Sequence, residues 1–288
     1  MPVRPAAVAG SWYPGSAAAL AQEVDRHLQQ AVLDVPPGDV RAIVAPHAGL
    51  MYSGPVAAFA YRLAARGSYD VAVLVGPSHF AGFDGAAVWP DGAFETPLGP
   101  VIVDAACAAD LMAASPVVRA LIDVHRREHS LEMQLPFLRR LLPDVPIVPL
   151  LMGYQVPETM RALGTALGAA LRGRRALLVA STDLSHYHDA AAAWQLDRQV
   201  VELISRFDAD GLLDELVRCP EHACGGGPTV SVMMAAASLG ARRAVALKYA
   251  DSGDVSGDKT AVVGYLAAAF VEVAAGDRAA AGNGGGPC

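Results

Sequence analysis

Basic charge is scarce in this 288-residue chain: 22 Lys and Arg stand against 29 Asp and Glu, a formal net charge of −7. A nucleic-acid binder needs a basic face to neutralise phosphates, so no nucleic-acid partner is expected. The same deficit argues against docking on an anionic membrane. Long apolar runs are missing as well. No window holds the roughly 18 consecutive apolar residues that a membrane span needs. The opening MPVRPAAVAGSWYPG reaches Trp12, Tyr13 and Pro14 without the apolar stretch of a secretory leader. Cysteines are few: Cys107, Cys219, Cys224 and Cys288 are the four, too sparse for a disulfide framework. A reducing, cytoplasmic setting is the expectation. Neither GxGxxG nor a P-loop pattern occurs, so the glycines at Gly225–Gly227 do not read as a phosphate loop.

What the chain does hold is core material. Apolar residues make up 53% and charged residues 18%, a balance that excludes a wholly disordered chain. The length allows one large domain or two small ones. No linker interrupts the pattern, so residues 1–273 read as one α/β domain. Residues 274–288 read as a flexible Gly/Ala-rich tail, with Cys288 an incidental exposed thiol. Base rates allow a homo-oligomer.

Short apolar runs alternate with helical patterns. Residues 41–46, 71–76, 146–152 and 176–181 read as buried strands, with later candidates at 245–250 and 261–267. Residues 56–65, 131–142, 158–171, 190–204 and 230–239 read as helices. Such alternation implies a mainly parallel central sheet with helices on both faces.

In open parallel sheets, ligands bind beyond the carboxyl ends of the strands. The residues just past three of these strands are rich in histidine: His47 in PHAG, His79 in GPSH, and Asp183, His186 and His188 in STDLSHYHD. One strand-end histidine reads most simply as bonded to a loop carbonyl. Three at equivalent positions favour metal ligation or acid/base work, because neutral imidazole is the commonest protein metal ligand. EHACGGGPT adds Cys224 just before a helix start, where the dipole and a nearby cation would favour thiolate. His222 beside it is a further candidate pocket residue.

REHSLEMQLPFL contributes Glu128 and His129 as candidate pocket residues, with Ser130 a helix cap and Glu132 and Gln134 read as solvated or capping. His27 and His125 read as ordinary surface residues, and Cys107 as a buried structural cysteine. Trp12, Tyr13 and Pro14 read as packing the N-terminus over the domain. Tyr52 and Tyr249 are candidate pocket walls, and Ser252–Asp258 a polar lid or turn.

These motifs together resemble the Memo family, also named as protein B of the AmmeMemoRadiSam system. The likeness runs in order through AGSWYPG, PHAGLMYSG, GPSHF, EHSLEMQLPFL, STDLSHY, CGGGP and YADSGDVSGDKTAVVGY, from Val8 to about Phe270. The resemblance implies a class III extradiol dioxygenase-like fold. It implies metal ligation by His47, His79 and Cys224, with Asp183 and His186 as the supporting acid and histidine. In the dioxygenase relatives the histidine matching His186 acts as acid/base. Their iron is held by two histidines and a carboxylate; here Cys224 stands in the third place, which shifts preference toward copper or zinc while keeping iron open.

The expected function is a redox-active, dioxygenase-like metal protein binding Fe(II) or Cu, with Zn as a further candidate. In that reading Asp183 orients His186, His186 shuttles a proton, and Tyr187 and His129 line the pocket around a small-molecule substrate. The family name implies a radical S-adenosylmethionine enzyme and an Ammecr-type protein as partners. The chain itself lacks the CxxxCxxC cluster motif. Two alternatives use the same ligands: a non-catalytic metal-binding or adaptor protein, and a zinc hydrolase with Asp183 or Glu128 as base. A thiol hydrolase built on Cys224 and His186 ranks last, because it leaves His47 and His79 unexplained.

Overall fold

Runs rich in Val, Leu, Ile and Ala cannot stay in water, and the computed structural model buries them on both faces of one sheet. It describes residues 2–34 and 38–273; the tail and Cys288 lie outside the described residues. In chain order the elements are β1 (Val3–Arg4), α1 (Ala17–Gln30), β2 (Asp39–Ala45), α2 (Leu50–Ala64), β3 (Val71–Pro77), β4 (Ala86–Val88), β5 (Ala93–Phe94), β6 (Val101–Ile102), α3 (Ala105–Ala114), β7 (Val118–Ala120), α4 (Leu135–Leu141), β8 (Ile147–Met152), α5 (Pro157–Ala170), β9 (Ala176–Ser181), β10 (His186–His188), α6 (Ala190–Ser205), α7 (Ala209–Arg218), α8 (Gly226–Ser238), β11 (Arg243–Asp251), α9 (Gly253–Ser256) and β12 (Val262–Glu272). Among the described residues, no helix is long and apolar enough to cross a membrane.

The large sheet runs β10-β12-β2-β9-β3-β8-β4-β7, with β11 paired to β12. Its centre, β2-β9-β3-β8, is parallel. The flanks join it antiparallel: β12 is antiparallel to β2, β10 and β11, and β4 is antiparallel to β8. The sheet is therefore mixed, with the expected parallel character held by the four central strands and by the β4-β7 pair at one edge. The flank reverses because β11 leads through a short loop and α9 straight back into β12. Such a return forces antiparallel pairing, whereas a parallel neighbour needs a crossover helix.

Alternate residues of the central strands point to opposite faces. Val71, Val73 and Val75 of β3 join Leu163 and Leu167 of α5 and Val230 and Met233 of α8. Ala72 and Leu74 point the other way, to Leu20 and Val24 of α1, Val56 of α2 and Phe137 of α4. Burial on both faces is why these strands are almost continuously apolar. Helix starts carry side-chain caps, Ser16 on α1, Asp104 on α3, Asp189 on α6 and Asp208 on α7.

The segment expected as a helix over 131–142 is shorter. A 3-10 turn at Glu132–Gln134 precedes α4, and Glu132 and Gln134 are fully buried rather than solvated. Ser130 does not cap a helix; its hydroxyl donates to the Pro77 carbonyl at 2.9 Å. His27 and His125 are also buried, not surface residues. His27 falls on the inner face of α1 with Leu20 and Val24.

Candidate metal centre

The carboxyl ends of β2, β3 and β9 open into one pocket of about 440 Å³. It is lined by His47, His79, His129, Asp183, His186 and Cys224, with Trp12 and Tyr187 among the residues at its walls. Each side chain arrives for a local reason. β2 ends at Ala45 and β3 at Pro77, so the loops after them carry His47 and His79 over the sheet edge. Cys224 comes from the turn before α8, and that turn must lie close against β9. A Cβ at Gly225 would collide with the Ser181 carbonyl oxygen and come within 2.8 Å of the Thr182 Cβ. Only glycine fits this approach.

His47, His79 and Cys224 each offer a ligand atom, and the three atoms lie within 4.8 Å of one another. His47 Nε2 is 3.3 Å from Cys224 Sγ. The tautomers of both histidines follow from their other ring nitrogens. Ser181 Oγ donates to the Ser130 carbonyl at 2.6 Å and accepts from Gln134 Nε2 at 2.8 Å. At 2.9 Å it therefore accepts from His47 Nδ1–H, which leaves the Nε2 lone pair facing Cys224. Gln134 is fixed in turn by Tyr61, whose hydroxyl donates to Gln134 Oε1 at 2.8 Å.

His79 Nδ1–H donates to Glu128 Oε1 at 2.9 Å, and the His79 backbone N–H donates to Oε2 at 2.6 Å. Oε1 also accepts the backbone N–H groups of His129 and Ser130, each at 2.9 Å. Burial opposes the charge on Glu128, but His79 and these backbone donors win and hold its pKa down at about 2. An ionised carboxylate only accepts, so His79 also presents Nε2 as its free donor atom.

Burial holds His47 well below its ordinary pKa, and neighbouring His79 and His129 push in the same direction. Burial lowers His129 to about 4. His47 and His129 are therefore neutral imidazoles, the form that binds metal. The Cys224 thiol is pushed up, first by burial and then by the charge of Asp183. This reverses the expectation from the α8 dipole: α8 begins two residues later, at Gly226, and desolvation outweighs it. A cation in the pocket would restore the thiolate.

The family model for Memo-like proteins matches residues 4–269, a span that contains all of these side chains. The chain belongs to the Memo family. A MEMO1 family protein of Ignicoccus hospitalis is 40% identical over 282 residues, covering 94% of this chain and 99% of the relative. One from Methanosarcina mazei is 41% identical over 274 residues, covering 93% and 98%. An uncharacterized Escherichia coli K12 protein of solved structure shares the fold with a TM-score of 0.53 and 16% identity, covering 79% of this Memo-like chain and 99% of its own.

Several expected roles change with the geometry. Asp183 makes no hydrogen bond to His186. Its Oδ1 accepts the backbone N–H of His47 at 2.7 Å and of Ala48 at 3.3 Å, so it clamps the loop after β2. Burial raises its pKa to about 7 against those two donors. His186 Nδ1–H donates instead to the Leu184 carbonyl at 2.8 Å. Glu128 stands behind His79 rather than on the pocket wall. His222 faces away, toward Glu215. Tyr249 binds Asp197 Oδ2 at 2.7 Å and packs on Trp194. The 252–258 loop is a structured turn, with Asp251 and Asp254 tied to Lys259 Nζ at 2.7 and 2.6 Å.

Trp12 packs its ring on His129 at 4.3 Å, and its carbonyl accepts the Leu50 N–H at 2.8 Å, strapping the N-terminal segment over the site. Tyr187 sits at the rim, exposed, with φ of 64°, a strained backbone for a tyrosine. Nothing in the sequence marks Gln134, Tyr61 or Glu132 as supporting residues; Ser181, at the last position of β9, carries the one readable signal.

Proposed function

We propose that this Memo-family chain is a metal-binding protein of redox type, holding Fe(II) or Cu through His47 Nε2, His79 Nε2 and Cys224 Sγ. The observation that carries it is the convergence of these three donors, with both Nδ1 atoms already committed to Ser181 and Glu128. The donor set fits such an ion: two imidazoles and one thiol whose proton is displaced on binding. Bound there, iron or copper would supply one-electron chemistry and activation of dioxygen or of a small substrate.

The chain's own part is to position and to move protons. His186 holds its proton on Nδ1, and burial lowers its pKa, so Nε2 is free to accept a proton from a hydroxyl in the pocket. Trp12 packs on His129 at one wall of the pocket, and Tyr187 stands at its rim. Asp183 keeps the His47 loop in register. In the same reading the protein works in the cytoplasm beside a radical S-adenosylmethionine enzyme and an Ammecr-type partner, an extension supported by the family resemblance alone.

Metal content of anaerobically purified protein, measured by plasma mass spectrometry beside Cys224→Ala and His79→Ala variants, tests the reading. Stoichiometric iron or copper lost in both folded variants supports it and leads to an oxygen-consumption screen. Full metal in both variants overturns it. Zinc at this site would instead favour a hydrolase.

A further inference from the structure

A second group of ligand-type side chains lies outside the pocket, where α7 ends. Glu215, Cys219 and His222 bring a carboxylate oxygen, a sulfur and a ring nitrogen within 4.8 Å of one another. Local backbone geometry builds the group. Glu215 and Cys219 are one helical turn apart, and the Cys219 N–H donates to the Glu215 carbonyl at 2.8 Å. The chain then folds into a 3-10 turn, Pro220–His222, and the His222 N–H donates to the Cys219 carbonyl at 3.2 Å.

The polar groups here are poorly paired. His222 is 4% exposed and Glu215 is 7% exposed. His222 Nδ1 lies 3.1 Å from Glu215 Oε1, yet it is misdirected for a hydrogen bond and has no hydrogen-bond partner. A buried ring nitrogen left this way calls for an explanation. Glu215 Oε2 is engaged by Arg218 at 2.7 Å, which leaves Oε1 turned to His222. A tetrahedral zinc with bonds of about 2.0–2.1 Å holds its nitrogen and oxygen ligands roughly 3.3 Å apart. The observed separation is close to that edge.

We propose that Glu215, Cys219 and His222 form a second metal site, which takes zinc(II) through Oε1, Sγ and Nδ1. Binding releases the Cys219 thiol proton to solvent and puts two anionic donors against a dication. The half-buried Cys219 leaves a fourth position on the solvent side. The site shares no ligand with the pocket. It ties the end of α7 to the turn that continues into Cys224, so it acts as a clamp on the segment delivering that thiol.

Cobalt(II), which reports thiolate ligation by a charge-transfer band, is the probe, with zinc uptake measured in parallel. All chains carry Cys288→Ser so that the tail thiol cannot contribute. In a His47→Ala/Cys224→Ala chain, the expected result is a thiolate-to-cobalt band saturating at about one equivalent. Adding Cys219→Ser should abolish it. No band in the folded His47→Ala/Cys224→Ala chain overturns the proposal, as does a band that survives Cys219→Ser. In the chain with an intact pocket, Cys219→Ser and His222→Gln should each remove one equivalent of bound zinc; unchanged uptake overturns the proposal there too. A pocket that binds no metal leaves this result intact, so the two sites stand or fall separately.

Discussion

The two walls of the pocket hold their histidines by different means. His47 is buried, and its Nδ1 is tied through neutral groups, Ser181, Gln134 and Tyr61, that reach into the core beneath the sheet edge. His79 is open to the pocket and is tied by one ionised carboxylate, Glu128. That carboxylate belongs to a segment locked by a charged network. Arg4 binds Glu132 at 2.6 Å, the His125 carbonyl at 2.7 Å and the Glu128 carbonyl. Tyr13 adds its hydroxyl to Glu132 at 2.7 Å. The first wall is pre-set by packing and neutral hydrogen bonds, the second by charge. The charged wall should therefore be the more sensitive to mutation and to pH.

Arg4→Ala gives the largest expected effect. Arg4 is 1% exposed and Glu132 is fully buried. Removing the cation leaves a buried carboxylate with only Tyr13 and backbone N–H groups, which costs about 3–5 kcal/mol. Urea unfolding should show that loss, and a fall below about 1 kcal/mol would mean water reaches Glu132 freely.

Acid acts next, on two buried histidines: His125, whose carbonyl accepts from Arg4 in the charged wall, and His27 on the inner face of α1. Burial holds His125 at about 3 and His27 at about 4, both below the ordinary 6.5. The unfolded chain then takes up protons that the native chain refuses, so stability falls as pH drops below 6.5. The loss continues until each folded-state pKa is reached. His125 alone should cost about 2 kcal/mol between pH 7 and pH 5. The check is an unfolding series against pH, in which His125→Gln flattens the slope; an equally steep slope would clear His125 of the effect.

Metal affinity compares the walls directly. Glu128→Gln removes the charge that orients His79 and should weaken binding by about 100-fold, the upper end for such supporting groups. Ser181→Ala removes a neutral acceptor and should cost nearer 10-fold. Competition with a chelator ranks the two. A larger effect from Ser181 would invert the comparison.

The asymmetry also explains what could be read in advance. Buried parallel strands show as apolar runs, and a residue at the end of each run is placed by topology. That made β2, β3, β8 and β9 legible, and with them His47, His79 and Asp183. The antiparallel flank was not, because β12 has the same apolar run whichever way its neighbour points. The supporting groups were hidden for another reason. Glu128 to Leu138 is buried residue after residue, so no periodic face separates Glu132 and Gln134 from solvent. Their polarity read as exposure, whereas it is answered by Arg4, Tyr13 and Tyr61. His27 was within reach, since it continues the inner stripe of Leu20 and Val24 in α1.

Tyr61→Phe is the mildest test and isolates the neutral wall. The ring is fully buried and stacks on Phe137 with centroids 5.0 Å apart, so phenylalanine keeps the packing. Only the hydroxyl on Gln134 Oε1 is lost. Gln134 retains two donor contacts, to Pro46 at 3.1 Å and to Ser181 at 2.8 Å, which hold its amide in place. The expected cost is about 1 kcal/mol in stability, that of one neutral hydrogen bond. Metal affinity should change less than in Ser181→Ala, because the perturbation must pass through Gln134 and Ser181 before it reaches His47. If Tyr61→Phe weakened binding as much as Ser181→Ala at an unchanged fold, the chain would be acting as one cooperative unit, and the neutral wall would be as finely poised as the charged one.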